Sequence, residues 1–238
     1  NSGLCIGSPE DKVSSVLLGL DCTPELVDEA IACGADMIVT HHPLIFQPAK
    51  SITDDTSVGR AILARCAAGI SAINAHTNLD CAPGGVNDVL ANKLGLQDVT
   101  VIDPCGVDAN GAEWGLLRCG SVTEQPLADF LTTVKKSLGC EGLRYADGGK
   151  PVRKVAVGGG ACAGGMLDAV RAGCDTFVTS DIKYNQFWDA YDLGLNLIDA
   201  GHFATENPVV AVLAEKIAAA FPEIEVKISE NHHDCMKF

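Results

Sequence analysis

Two stretches of this chain, DEAIACGADMIVTHH from Asp28 and LDAVRAGCDTFVTSD from Leu167, carry the same order of helix, glycine turn and short apolar strand. Successive strand side chains point to opposite faces, so a strand that is apolar at every position must be covered on both sides. Such a unit demands parallel strands with helices above and below them. Gly34 stands over Gly173, Asp36 over Asp175, and Val39-Thr40 over Val178-Thr179. The following strand repeats as well, INAH at Ile73 to His76 echoing IDAGH at Ile198 to His202. Either an internal duplication or a reuse of the same turn chemistry accounts for the match.

The rest of the chain extends this pattern. Val13 to Leu20 reads as an apolar strand, Pro24 to Cys33 as a helix with acids in its first turn, and Met37 to Thr40 as a second strand ending in His-His. A polar stretch from Gln47 to Ser57 leads to a helix over Val58–Ala68, a strand over Ser71–Ala75 and, after Ala82-Pro83-Gly84-Gly85, another helix. Strands are expected near Trp114–Cys119 and a helix over Pro126–Leu138, with Asp147–Pro151 as a loop. From Val152 the order is strand, glycine-rich turn, helix Met166–Ala172, strand Thr176–Thr179, helix Asn185–Leu193, strand Asn196–Ile198, helix Pro208–Ala220 and strand Glu225–Ile228. With 238 residues there is enough chain for two cores. The expected class is α/β: two related three-layer lobes with mainly parallel sheets. Residues 1–102 form the first and 103–238 the second, the join falling near Val101 to Gly111 and the last strand free to return to the first lobe.

A net charge of −14, with 17 basic residues scattered without a run, excludes a nucleic-acid backbone as partner and favours divalent cations. The 11 cysteines are an odd count with no CxxC, which supports neither a disulfide framework nor a thiolate zinc knuckle and suits a reducing, cytoplasmic compartment. No apolar run reaches the roughly 18 residues of a membrane span. The opening NSGLCIGSPEDK lacks the basic and apolar regions of a signal peptide, and the missing initiator Met points to a clipped start.

Of the 6 histidines, four fall in segments just after strand-like runs: His41-His42, His76 and His202. Asp80 and Glu206 follow in HTNLD and HFATE. In open parallel sheets, sites form beyond the carboxyl ends of strands, where the topology gathers such segments. Imidazole with carboxylate suits zinc, manganese, iron, cobalt or nickel better than calcium or magnesium, which prefer all-oxygen cages. Five protein ligands, His41, His42, Asp80, His202 and Glu206, exceed the three of a catalytic zinc and suit two ions with a bridging carboxylate, for which Glu206 is the candidate. Because adjacent side chains diverge in an extended segment, His41 and His42 are expected to serve different ions, or one to bind and the other to face the core.

The segments ADMIVTHHPLIF (Ala35–Phe46), NAHTNLDCAPGGVND (Asn74–Asp88), TSDIKYNQFWDA (Thr179–Ala190) and LIDAGHFATE (Leu197–Glu206) resemble the signature blocks of the Nif-three-like dinuclear metal-centre proteins, often labelled GTP cyclohydrolase I type 2 homologues. The resemblance runs over nearly the whole chain. It implies two divalent metal ions, zinc, manganese or iron, in the cleft between two α/β lobes, held by His41, His42, Asp80, His202 and Glu206. It also implies a toroidal homohexamer. The resemblance is to a short form of the family, since the residues from Asp103 to Lys150 are too few for an inserted domain. One departure is Ser180-Asp181 with Asn185, where many relatives have Gly-Asp followed by His.

Other features carry smaller expectations. Gly158–Gly165 between a strand and a helix, with Asp181 further on, has the look of a dinucleotide loop, but the simpler reading is a tight turn whose backbone N–H groups can at most hold a phosphate. His232 and His233 read as an exposed tail outside the site. His76 is the candidate catalytic residue, as proton carrier or supporting partner, and Cys81 packs behind Asp80. The functions open at this point are a metal-dependent hydrolase of a small-molecule nucleotide, GTP ring-opening being the reaction the family label names, and a non-catalytic oligomer that stores, delivers or senses metal.

Overall fold

Each repeated segment ends its helix on a glycine in the left-handed region, φ 69° at Gly34 and 79° at Gly173, where a Cβ is costly. Two residues on, an aspartate does the same work in both places. Asp36 accepts the backbone N–H groups of Ser14 and Ser15 at 2.8 and 3.1 Å. Asp175 accepts those of Arg153 and Lys154 at 3.1 and 2.9 Å. The repeated Gly-x-Asp thus ties the start of one strand to the start of its parallel neighbour.

The computed structural model describes residues 2–237. In chain order the elements are β1 (Gly3–Ile6), β2 (Ser15–Gly19), α1 (Pro24–Cys33), β3 (Met37–Thr40), α2 (Ser57–Ala68), β4 (Ser71–Asn74), α3 (Thr77–Cys81) and α4 (Val86–Lys93). They continue with β5 (Gln97–Ile102), β6 (Gly106–Val107), β7 (Glu113–Trp114), β8 (Leu117–Gln125), α5 (Leu127–Leu138), β9 (Arg144–Ala146) and β10 (Val152–Val157). A 3₁₀ turn, Ala163–Gly165, leads to α6 (Met166–Arg171), β11 (Thr176–Thr179), α7 (Tyr184–Asp192), β12 (Asn196–Asp199), α8 (His202–Glu206), α9 (Pro208–Ala220) and β13 (Glu225–Ile228). Among the described residues no helix is long and apolar enough to cross a membrane.

The chain forms two compact units. The first takes residues up to 79 together with 210–233. Its sheet has the order β1-β4-β3-β2-β13, parallel from β4 to β13 with β1 antiparallel at the edge. Leu17 and Ile38 pack on Leu26, Val27 and Ala30 of α1 and on Ala61 and Ile62 of α2. Thr23 caps α1 by accepting the Leu26 N–H at 3.2 Å, a contact of about 1 kcal/mol.

The second unit takes residues 80–209 together with the described residues from 234 on. Its sheet, β5-β8-β10-β11-β12-β9, is parallel at its centre, β10-β11-β12, and antiparallel at both flanks. On one face Ala156, Phe177 and Leu197 meet Met166 and Ala169 of α6 and Ala190 of α7. On the other, Val155, Val178 and Ile198 meet Leu90 and Ala91 of α4 and Phe130 and Val134 of α5. That makes three layers. The division differs from the one near 102 expected from sequence, for a packing reason. Residues 80–102 read locally as a continuation of the first βα series, yet β5 pairs with β8 and α4 is buried against the second sheet.

Candidate metal centre

The first unit gathers three imidazoles beyond the carboxyl ends of its parallel strands. The ladder continues past β3, with the His42 N–H on the Leu20 carbonyl and the Ala75 N–H on the Thr40 carbonyl, both at 2.9 Å. Buried Asn74 then pins the His42 carbonyl at 3.0 Å and Thr40 Oγ1 at 2.7 Å. His41, His42 and His76 consequently lie with ring centroids 4.9, 5.2 and 5.7 Å apart. One ring nitrogen from each falls within 4.8 Å of the others. The two rings differ in burial, His41 being 1% exposed and the His42 side chain 21% exposed. His76, assigned from sequence to proton transfer or support, sits in the same potential ligand group.

Two of the rings, His41 and His42, are aimed by their Nδ1 atoms. His41 Nδ1 lies 2.7 Å from the Ala75 carbonyl and His42 Nδ1 lies 2.6 Å from Asp21 Oδ1. A carbonyl and a carboxylate only accept, so both Nδ1 atoms carry the hydrogen and Nε2 is presented as the lone-pair donor. Asp21 is held in turn by His232, whose Nε2 lies 3.3 Å from Asp21 Oδ2. Burial opposes ionisation of Asp21, but the hydrogen bonds and charges of His232 and His42 outweigh it and hold its carboxyl well below the usual range. Of the two C-terminal histidines, His232 differs from the exposed tail expected. His233 is exposed, while the His232 side chain is only 7% exposed against Asp21.

The second unit repeats the device with carboxylates added. Gly201, at φ 87°, turns the chain from β12 into α8, where His202 and Glu206 share one face at i and i+4. His202 Nδ1 lies 2.7 Å from Asp181 Oδ2 and Nε2 lies 3.0 Å from Glu206 Oε2. Hydrogen bonding to Glu206, against the opposing effect of burial and with help from Asp181, pushes the His202 pKa up to about 9. Asp181 itself is left-handed at φ 53°, a conformation aspartate tolerates better than most residues. Asp80 and Glu206 are 8% and 4% exposed, and an oxygen of each lies within 4.8 Å of the other. Glu206 is thus in reach of both Asp80 and His202.

Two residues absent from the sequence reading hold Asp80 in place. Buried Asn87 donates to the Asp80 and Leu116 carbonyls at 3.2 and 2.6 Å and accepts the Gly159 N–H at 2.7 Å. Arg118, buried on β8, ties the Cys81 and Ala82 carbonyls at 3.2 and 3.3 Å and Asp88 at 2.6 Å. Cys81 is half-buried beside them, its thiol pushed up by burial and by Asp80.

The glycine loop takes a role different from phosphate binding. Gly158 N–H goes to the Val178 carbonyl, Gly160 N–H to Thr205 Oγ1 and Cys162 N–H to Thr179 Oγ1, at 3.0 to 3.1 Å, and Gly159 N–H goes to Asn87. Those donors are spent inside the protein. What the glycines provide is room: a Cβ on Gly160 would overlap Glu206 Oε1 and stand 3.1 Å from His202 Nε2. Burial first, then the charges of Asp80 and Glu206, push the neighbouring Cys162 thiol up to about 12.

The paired aspartates give a first prediction. Metal-ligating histidines lose about 10- to 100-fold in affinity when the carboxylate on the other nitrogen is removed. Asp21→Asn and Asp181→Asn should each weaken zinc binding by that factor in a competitive chelator titration. Unchanged affinity in both would make the aspartates merely structural.

Residues 1–235 match the sequence profile of the family described as Duf34/NIF3 (NGG1p interacting factor 3). A Clostridium perfringens protein named GTP cyclohydrolase 1 type 2 homolog is 36% identical over 241 residues, covering 100% of this chain and 91% of its own length. A Clostridium acetobutylicum protein of the same name is 33% identical, covering 100% and 90%. Among solved structures, a Bacillus cereus protein related to NIF3 superposes with a TM-score of 0.90 at 30% identity, covering 100% of this chain and 92% of that one. A Staphylococcus aureus protein superposes at 0.89 with 30% identity, covering 100% and 91%.

Proposed function

The chain belongs to the Duf34/NIF3 family, and from that premise we propose that it is a dinuclear metal protein that hydrolyses a nucleotide. In this reading His41, His42, Asp80, His202 and Glu206 would hold two ions of zinc, manganese or iron, Glu206 being the ligand common to both. The observation that carries it is the shared aim of three imidazoles. His41, His42 and His202 each commit Nδ1 to an oxygen acceptor at 2.6 to 2.7 Å, which turns Nε2 of His41 and His42 toward a metal and Nε2 of His202 toward the candidate ligand Glu206 at 3.0 Å.

Bound metal would supply an acidified water and a stabiliser for the anionic transition state. The chain's own residues do the rest. Asp21 and Asp181 keep the histidine rings in register, Asn87 and Arg118 fix the Asp80 segment, and His76 takes or returns a proton at a ring nitrogen beside His41 and His42. The functional unit in this reading is the cytoplasmic homohexamer that the family resemblance implies. Eleven free cysteines suit that compartment.

A second reading, metal storage, delivery or sensing without turnover, gains from one observation: the glycine-loop donors that would hold a phosphate are already used within the fold. A hydrolysis screen over purine nucleotides, with metal-free protein as control, separates the two. The enzyme reading expects metal-dependent turnover that falls by roughly 10²-fold in His76→Asn with both metals retained, the loss expected of a missing acid–base group. If no nucleotide is turned over by fully loaded protein, the storage reading replaces it. Loss of a metal in His76→Asn would make that residue a ligand.

A further inference from the structure

Within the first unit, β13 delivers a histidine to the support of the candidate ligands. It lies parallel to β2, Ile228 level with Leu18, so both strands end at the same edge of the sheet. The ladder runs one residue further, with the Ser229 N–H on the Leu18 carbonyl at 2.8 Å. Beyond it the chain is fastened to Glu29 of α1. Ser229 Oγ donates to that carboxylate, and so do the N–H groups of Glu230 and Asn231, at 2.9 and 3.4 Å. The His232 N–H then folds back on Ser229 Oγ at 3.0 Å. This places the His232 ring with Nε2 3.3 Å from Asp21 Oδ2, while the other oxygen of Asp21 lies 2.6 Å from His42 Nδ1.

We propose that residues 229–232 are a strap that sets metal affinity from the end of the chain: Glu29 fastens it, and His232, through Asp21, fixes the direction of the His42 ring. The inference rests on the ligand assignment proposed above. His232 is a positioning residue, since it touches the partner of a ligand and not the ligand. A carboxylate held only at Oδ1 is free to rotate, and the imidazole bonded to it follows. Held at Oδ2 as well, Asp21 keeps one orientation and so does His42.

The charges agree with this fastening. Burial opposes ionisation of Glu29, but the hydrogen bonds from Ser229, Glu230 and Asn231 outweigh it and hold its carboxyl below the usual range. Hydrogen bonds to an ionised acceptor are the stronger kind. Whatever lifts the segment from α1 therefore weakens the metal centre without touching any ligand, which makes the chain end a point of control.

Zinc affinity of the intact protein, read by competitive chelator titration, tests this together with the visible absorption of the cobalt(II)-substituted form. His232→Met keeps the side-chain volume and removes the donor. It is expected to weaken zinc binding about 10-fold, the lower end of what a lost supporting partner costs, and to shift the cobalt spectrum. His232→Gln, nearly the same shape with an amide nitrogen in place of Nε2, is expected to restore both. Glu29→Ala, which unfastens the strap, is expected to weaken binding in the same way. Added to Asp21→Asn, His232→Met is expected to change nothing more, because both act through one carboxylate. Wild-type affinity in His232→Met, or a further loss in that combination, overturns the strap and leaves the metal centre standing. A wild type that binds no zinc overturns the metal reading and this inference with it.

Discussion

Gly160→Ala is expected to strip at least one metal from the protein, while Gly164→Ala, further along the same loop, is expected to change nothing. Gly160 sits at φ 64°, where a side chain costs about 1–2 kcal/mol. Its added Cβ would overlap Glu206 Oε1 and stand 3.0 Å from Glu206 Cδ, an overpacking that costs about 1–3 kcal/mol. The loop backbone is tied to Thr205 at 3.0 Å, so the carboxylate is the part that gives way. Gly164 has no atom within 4 Å of its Cβ position and no positive φ. Metal content by elemental analysis and the thermal midpoint together check the pair. Two metals held with wild-type affinity in Gly160→Ala would remove Glu206 from the ligand set.

Much of the fold was legible because its units are local. The helix over Pro24–Cys33 and the strands Met37–Thr40 and Thr176–Thr179 are found at the expected residues, since caps, glycine turns and fully apolar strands are encoded within a few positions. β1 and β9 were not legible. They are short edge strands that exist by pairing with β4 and β12, and Arg144–Ala146 has no alternation of its own. β8 runs on through Val122–Gln125, where polar residues hid a strand set by its neighbours β5 and β10.

At the site, the histidines and acids were readable from their places after strands, but their supports were not. Asp21 bonds His42 across 21 positions and Asp181 bonds His202 across another 21, distances at which no local pattern operates. One signal was available: both aspartates stand two residues after a parallel strand, in LGLD and VTSD. The glycine loop misled because a run rich in glycine satisfies many templates, whereas its use here is to make room for Glu206.

The claim on which the rest stands is a pair of metal ions sharing Glu206, and metal content tests it most directly. Glu206 has an oxygen within 4.8 Å of an Asp80 oxygen, and the same holds for a His202 ring nitrogen. Removing a shared carboxylate therefore weakens both ions at once, where removing a terminal ligand weakens one. Elemental analysis of protein purified without chelator and saturated with zinc or manganese is expected to give two metals per chain in the wild type and loss of both in Glu206→Ala. A single metal in the saturated wild type, or two tightly held metals in Glu206→Ala, would contradict the account.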